Sequence, residues 1–525
     1  MKKKLSEVLS RHKTDCMLIL IILFLMVHAL YCFSFSDSRA AFLFSGITIL
    51  MTAFVYLTMR ILESKGRLRV ETAFLIGVLV CGVLYSAVFA PGTVPDETYH
   101  FEASYKLADY LMLQGPTNDS LPMRGDDSAM LQGMLDSWTL GYQKYQMVAD
   151  QFTLFVQQPS FGSVVPASTF DWSANPPYIK LPSALGIMIS VLFHFGSYPL
   201  FYIGRFFNLL TFALLAYFAV RITPVGKNAM MVAGLLPMTL HVASSYSYDA
   251  GIIGLAFLLT AMCLRAVYGK GLMSRRHKIE LVVVAVLLAP CKVVYIVIVL
   301  LVLLVPRERF SSKAASVRFK TLAIGCSFLA IAVIRAAGIL QMAGVTASAS
   351  TAGVRGAEQG TFYSLPGLIG DPINAILLFL RTFDVQGPFY IETLVGGSLG
   401  WFQAELQAPL YITFALLLVV LLSGQRSRDD DTKVPAPHRA LFGVLTLASC
   451  LGVVLSMALG WTFTGESVIQ GVQGRYFLPL LPLAVLALRS SRTIIDLPLG
   501  VWLVYAMVAL NSAYLARTFA IAVGV

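Results

Sequence analysis

Two adjacent carboxylates and an imidazole, Asp96, Glu97 and His100, stand in the stretch Thr93-Val94-Pro95-Asp96-Glu97-Thr98-Tyr99-His100-Phe101, directly after the apolar run Phe74–Ala90. Such a set can take a proton from a hydroxyl, or it can simply begin a helix. Pro95 suits a first helical turn, where Asp96 and Glu97 would meet the positive end of the helix dipole. A continuing helix puts Asp96 and His100 on one face. It also aligns Phe101, Tyr105, Ala108 and Met112 as an apolar stripe, with Glu102, Lys106 and Asp109 away from it. That pattern predicts a helix lying on a membrane surface. Taken alone, the acidic pair is more simply a cap. The other ionisable residues of the chain shift that balance.

The elements that must position these residues are membrane helices. Of the 525 residues, 57% are hydrophobic and 13% charged, and the mean hydropathy is +0.75. Soluble domains carry about 25% charged residues. Many apolar runs reach the ~20 residues that cross a bilayer. The composition therefore predicts an all-α polytopic membrane protein. The first run, Cys16–Phe33, lacks a following small-residue cleavage site and is read as a retained anchor. Seven cysteines lie in or beside apolar runs with no CxxC and no Cys/His cluster, which argues against a disulfide framework or a zinc site. The net charge of +11 would suggest nucleic acid in a soluble protein; here its distribution follows membrane topology, and no nucleic-acid partner is expected.

Lys2, Lys3, Lys4, Arg11 and Lys13 place the N-terminus in the cytoplasm. Cys16–Phe33 then leads out, Ala40–Leu62 returns to a basic loop, and Val70–Ala90 delivers Asp96 to the outer face. The segment Pro91–Tyr178 has ten Asp or Glu and three Lys or Arg, as an outer loop should, with Trp138 and Trp172 suited to the headgroup level. Four crossings by Ile179–Phe195, Leu200–Arg221, Asn228–Ser245 and Gly251–Ala266 would put the basic loop Arg265–Lys278 outside, so one does not cross; Ile179–Phe195, the shortest-looking, reads as interfacial or re-entrant. Leu200–Arg221, Asn228–Ser245 and Gly251–Ala266 are expected spans. Ile279–Pro306 is basic at both flanks and broken at Ala289-Pro290-Cys291-Lys292, so it reads as two short helices that enter and leave from one side. Broken helices at membrane depth survive where they line a cavity. Thr321–Met342, Ala408–Leu422, Leu441–Trp461, Tyr476–Leu488 and Ile495–Leu515 complete the set, with Asp371–Gly400 left outside or interfacial. The total is about 11–13 transmembrane helices.

Once topology has absorbed the cytoplasmic positives, the ionisable residues left on or below the outer face are chiefly Asp96, Glu97, His100, Lys180, Asp249, Lys292, Arg381, Glu466 and Arg475. Ionisable groups at membrane depth are costly and mark functional cavities. Lys292 stands in an otherwise apolar hairpin. Asp249 opens a span and has a capping alternative; Arg475 opens another and has a headgroup-anchoring one. Together, outward carboxylates and cations describe a site for a phosphate-bearing lipid and a hydroxyl acceptor: cations hold the phosphate, and a carboxylate takes the proton of the attacking hydroxyl. The sequence has no P-loop, HExxH or GxSxG to support nucleotide hydrolysis, zinc proteolysis or a serine hydrolase.

Five segments occur in one order across nearly the whole chain. They are Pro95-Asp96-Glu97…His100-Phe101, Leu236-Pro237-Met238…Ser245-Tyr246-Ser247-Tyr248-Asp249-Ala250, Lys292…Tyr295, Leu399-Gly400-Trp401, and Gln473-Gly474-Arg475-Tyr476-Phe477-Leu478-Pro479. In this the chain resembles the bacterial membrane-protein family called domain of unknown function 2142. That family in turn resembles the GT-C glycosyltransferases, including aminoarabinose and protein O-mannosyl transferases. The resemblance implies a GT-C-like fold with a large first catalytic outer loop. It implies that Asp96 is the catalytic or metal-binding carboxylate, with Glu97 beside it, that Asp249 is the second outer acid, and that Lys292 is the lysine at a broken helix pair. Gln403 stands where an acid is expected shortly after Gly-Trp, with Glu405 nearby, and the N-terminal spans before Asp96 look like an addition.

The resulting expectation is a glycosyltransferase on the outer face of the bacterial cytoplasmic (inner) membrane. It would move sugar from a polyprenyl-phosphate donor to a cell-surface glycan or glycolipid. Asp96, Glu97 and Asp249 would be catalytic, Lys292 and Arg475 would bind the donor phosphate, and His100, Lys180, Tyr295 and Arg381 would support them. A divalent metal (Mg or Mn) is possible at Asp96 and Glu97. The alternatives are a lipid-linked glycan flippase or transporter and a polysaccharide polymerase. The expected divisions are 1–90 (N-terminal spans), 91–198 (outer loop with the acidic motif), 199–343 (core with the re-entrant hairpin), 344–406 (second outer or interfacial region) and 407–525 (C-terminal spans).

Overall fold

The computed structural model describes residues 53–55, 57–116, 120–152, 161–166, 176–342, 360–422, 434–489 and 499–524. The expected anchor Cys16–Phe33, its basic flank, most of the second span, Trp172 and the stretch 343–359 lie outside the described residues. The protein is an all-α polytopic membrane protein with two small two-stranded sheets. Among the described residues six helices are long and apolar enough to cross a bilayer: Val70–Val88, Ser197–Ile222, Asp249–Tyr268, Lys313–Ala336, Ala436–Gly460 and Gly500–Ala522. Four shorter apolar helical segments, Pro177–Leu192, Val293–Leu304, Tyr411–Leu421 and Gly474–Leu488, fill in between them.

Several expected spans are broken, and proline explains where. Asn228–Ser245 is not one helix but two, Lys227–Gly234 and Pro237–Ala243. Pro237 cannot donate to the helix ladder, and it holds Leu236 at φ −58°, ψ 142°. Tyr476–Leu488 divides into a 3₁₀ segment, Gly474–Leu480, and a short helix, Leu481–Leu488, around Pro479 and Pro482. Ile279–Pro306 breaks after the helix Arg275–Leu288, and Lys292 sits in extended conformation at the break. The helix Leu181–Leu192 rises only about 18 Å at 1.5 Å per residue, short of the ~30 Å hydrocarbon thickness. Within Asp371–Gly400, expected outside or interfacial, Pro372–Val395 is one 24-residue helix. Arg381, Asp384 and Glu392 interrupt its apolar pattern, which hid its length.

The core gathers around Val70–Val88, Ser197–Ile222, Asp249–Tyr268 and Gly500–Ala522. Small residues bring these helices together: a Cβ on Gly82 would stand 2.4 Å from the Leu209 side chain. Polar side chains at depth are paired. The Tyr85 hydroxyl donates to Asn511 Oδ1 at 2.9 Å, and Asn511 Nδ2 donates to the Leu235 carbonyl at 2.8 Å.

The helix that begins the polar segment runs Glu97–Leu111. Its stripe, expected to lie on a membrane surface, packs against protein. Phe101, Tyr105 and Ala108 pack into a second core with Leu121, Met123, Leu131, Phe201 and Tyr246. Glu102, Lys106 and Asp109, expected to face away, are buried as well. The reason is the rest of the segment, which folds over this helix. Strand Ser120–Arg124 pairs antiparallel with Phe161–Pro166, and the helix Gly125–Asp136 follows. Arg124 clamps Asp127 through Nε at 2.7 Å and Nη2 at 2.9 Å, and the Tyr105 hydroxyl donates to the same carboxylate at 2.8 Å. Burial, together with the nearby Asp127 charge, pushes the Asp109 carboxyl up to about 8.

Candidate functional site

Asp96 precedes the helix Glu97–Leu111 in the left-handed region, at φ 61°, ψ 14°, and its side chain makes no capping bond. A non-glycine residue held there is strained by roughly 1–3 kcal/mol, and such strain gathers at functional positions. The simple capping role thus fails. The Asp96 carboxylate, about half exposed, instead accepts from Arg475 Nη2 at 2.9 Å, while Arg475 itself is only 5% exposed.

Arg475 joins Asp96 to the second carboxylate. Its Nε lies 3.7 Å from Asp249 Oδ2, and Lys292 Nζ donates to Asp249 Oδ1 at 2.7 Å. Asp249 is the first residue of Asp249–Tyr268, and its side chain faces these cations. The ordered pair from sequence, Asp249 and Lys292, is therefore one ion pair, and Arg475 links it to Asp96 across 379 residues of chain. The Arg475 Nε has no hydrogen-bond partner among the described residues. One buried guanidinium donor is left open beside the carboxylates.

Each cation is held by its own support. Lys292 follows the break after Leu288, where Arg335 Nε donates to the Pro290 carbonyl at 2.7 Å and Arg335 Nη2 donates to that of Cys291. The Tyr178 hydroxyl donates to the Leu287 carbonyl at 2.6 Å. The Lys292 ammonium lies 4.1 Å from the centre of the Tyr476 ring, a cation–π contact. Tyr295 fixes the backbone there, its hydroxyl donating to the Tyr476 carbonyl at 2.7 Å. Arg475 is set by Gly474, whose N–H donates to Thr393 Oγ1 at 2.8 Å. A Cβ on Gly474 would lie 2.0 Å from the Tyr390 carbonyl oxygen, so only glycine fits. Asn208 shapes the turn before Asp249 by donating to the carbonyls of Ser245 and Ser247 at 2.7 and 2.9 Å.

His100 and Lys180 form the third unit. Lys180 Nζ lies 2.8 Å from His100 Nδ1 and 3.4 Å from the Tyr246 carbonyl, and both side chains are buried. The Tyr248 ring meets both, edge-on to His100 at 4.8 Å and 4.9 Å from the ammonium. Burial pushes the imidazole well below its usual range, and the charges of Lys180, Arg475 and Lys292 push it further the same way. Burial also lowers Lys180 strongly, with partial relief from Asp249 and Asp96.

Glu97 belongs to a different structure. Its Oε1 and Oε2 accept from Arg205 Nε at 2.8 Å and Nη2 at 2.6 Å, and both side chains are fully buried. The Gly92 and Tyr246 amides add bonds at 3.1 and 3.2 Å. Glu97 begins the helix and lies on the Phe101 face, toward Arg205 and Phe201 of Ser197–Ile222, whereas Asp96 stands before the helix in the left-handed region. This saturated carboxylate has no free oxygen edge for an acceptor or a metal. Among the described residues no group of three His, Cys, Asp or Glu side chains is placed to hold a metal ion. The expected Asp96–Glu97 metal pair therefore does not fit.

Arg381 is exposed on Pro372–Val395, and none of the contacts above reaches it. Glu466 sits in the turn where Phe362 and Phe463 bridge, with its carbonyl accepting from Tyr363. Gln403 Oε1 accepts from the Leu140 amide at 2.8 Å, which ties the second polar region to the first, and Glu405 lies in the small sheet with Ser398. Sequence reasoning missed Arg205, Asn208 and Arg335, and gave no role to Tyr248 and Tyr476, which stand in its quoted segments. Arg205 had a signal: a cation inside the 26-residue apolar helix Ser197–Ile222 needs a buried partner.

The family of predicted membrane proteins called DUF2142 matches residues 79–484, which span every residue of this cluster, and the chain belongs to that family. No curated protein and no solved structure matches it.

Proposed function

We propose that this DUF2142 protein is a glycosyltransferase of the outer face of the bacterial cytoplasmic membrane. It moves a sugar from a polyprenyl-phosphate donor to a hydroxyl of a cell-surface glycan or glycolipid. The observation that carries the reading is the convergence of Asp96, Asp249, Lys292 and Arg475. An accessible carboxylate stands against the buried Arg475 and near the part-buried Lys292, and one guanidinium donor is unfilled.

In this reading the Arg475 Nε and the remaining Lys292 ammonium hydrogens hold the donor phosphate, a charge-assisted arrangement suited to an anion at low dielectric. The acceptor oxygen attacks the anomeric carbon. A new carbon–oxygen bond forms, and the bond from that carbon to the phosphate oxygen breaks, its electron pair leaving with the polyprenyl phosphate. The hydroxyl proton passes to the Asp96 carboxylate, which reaches solvent and can release it. Asp249 keeps Lys292 and Arg475 in register. Lys180 and His100 support the wall behind them.

The test is turnover of labelled polyprenyl-phosphate sugars by the protein in lipid nanodiscs. Acceptor-dependent release of polyprenyl phosphate is expected, reduced at least 100-fold in Asp96→Asn, within the 10²–10⁴ that a general base typically contributes. Intact donor crossing to the opposite leaflet without chemistry would instead make the protein a flippase. Unchanged release in a folded Asp96→Asn would refute the assignment.

A further inference from the structure

The three basic side chains of the cluster share two tyrosine rings. Lys292 Nζ lies 4.1 Å from the centre of the Tyr476 ring, and the Arg475 guanidinium carbon lies 5.4 Å from the same centre. Tyr248 meets Lys292 at 5.5 Å and Lys180 at 4.9 Å. Each ring is the chain neighbour of a charged residue of the site, in Arg475-Tyr476 and in Tyr248-Asp249, and both are half-buried. The backbone that bears Tyr476 is pinned on both sides of Arg475: the Gly474 amide donates to Thr393 Oγ1, and the Tyr476 carbonyl accepts from the Tyr295 hydroxyl.

Lys292 and Arg475 repel each other, and the carboxylate they share, Asp249, brings one negative charge to two positive ones. Asp96 adds a second at Arg475, from a half-exposed position. A further carboxylate would gather the cations, but it would also repel an incoming phosphate. A tyrosine ring attracts a cation through its quadrupole and carries no net charge. It can therefore bring the two cations together without cancelling the field that an anion needs.

We propose that Tyr476 is a positioning residue of this site, whose ring holds Lys292 and Arg475 as one clamp for a phosphate. Tyr248 reaches Lys292 and Lys180, so its part in the clamp is the smaller one. The inference rests on the assignment of Lys292 and Arg475 to the donor phosphate, and it does not depend on sugar transfer.

Calorimetric titration of the full chain in nanodiscs with farnesyl phosphate, a short isoprenyl monophosphate, tests it, with empty nanodiscs as the blank. Tyr476→Leu should weaken binding roughly fivefold or more, the size of a cation–π contact out of water, and Tyr476→Phe, which keeps the ring, should stay within about twofold of the wild type. Tyr248→Leu should cost less than Tyr476→Leu. Tyr476→Met serves as the second variant if Tyr476→Leu lowers the melting temperature. No binding by the wild type, wild-type affinity in a stable Leu or Met variant, or a Phe variant as weak as Tyr476→Leu would each overturn the proposal. Turnover is read separately: binding that follows the ring, with no sugar transferred, upholds the clamp and refutes the transferase.

Discussion

Glu97→Gln should unfold the protein more readily than Asp96→Asn, although the two acids are neighbours in one motif. Glu97 accepts four N–H groups, two from Arg205 at 2.6 and 2.8 Å and two backbone amides at 3.1 and 3.2 Å. Glutamine keeps the shape but removes the charge and turns an amide donor toward a guanidinium donor. Breaking one side of a buried pair costs about 3–5 kcal/mol, because the other charge stays buried without compensation. Against a typical stability of roughly 5–15 kcal/mol, that is a large fraction. Asp96 is half exposed, and its loss releases a guanidinium that Asp249 still neighbours, so a cost of about 1 kcal/mol is expected, near the range for exposed pairs. The assay is thermal unfolding in nanodiscs followed by a thiol-reactive dye, since Cys81, Cys263 and Cys291 are buried in the folded state. The Glu97→Met/Arg205→Met double variant should recover most of the loss, as apolar replacement of a buried pair is often neutral. Equal melting of Glu97→Gln and Asp96→Asn, or a double variant less stable than Glu97→Gln, would refute the separation of a structural from a chemical carboxylate.

Two further outcomes follow from the packing. Asp109 has a folded pKa raised to about 8, above the ordinary carboxylate range, so its contribution is fully present at acid pH and is lost as pH rises from that range through about 8. Hydrogen exchange of the helix Glu97–Leu111 should therefore quicken between pH 5 and pH 9 relative to an Asp109→Asn variant, measured after correction for the intrinsic pH dependence of exchange. Gly474→Ala should displace Arg475 by forcing a Cβ against the Tyr390 carbonyl. Donor turnover should fall at least tenfold in that variant, whereas Gly465→Ala, where nothing lies within 4 Å but φ is +99°, should lose only some stability.

The membrane class, the broken helix at Lys292 and the cluster of Asp96, Asp249, Lys292 and Arg475 were legible because charge inside apolar sequence is rare and costly. Asp96 and Glu97 could not be told apart in this way. Their difference depends on the left-handed backbone at Asp96, outside the helix that Glu97 begins, and on an arginine 108 residues away. The amphipathic stripe of Glu97–Leu111 misled because periodicity reports one apolar face and says nothing about what later chain folds over the other. Lys106 and Asp109 are buried under such chain. The two-helix form of 227–243 was readable from Pro237, but hydropathy averaged over it.

The charges of the site balance before any ligand arrives. Asp96 and Asp249 face Lys292 and Arg475, and Glu97 is cancelled by Arg205. Lys180 and His100 stand 2.8 Å apart, and burial lowers both. Under the transferase reading, an entering phosphate diester brings one negative charge and the departing monoester up to two. Each added negative charge makes a proton on the Lys180–His100 pair less costly, by the same Coulomb argument that lowers it now.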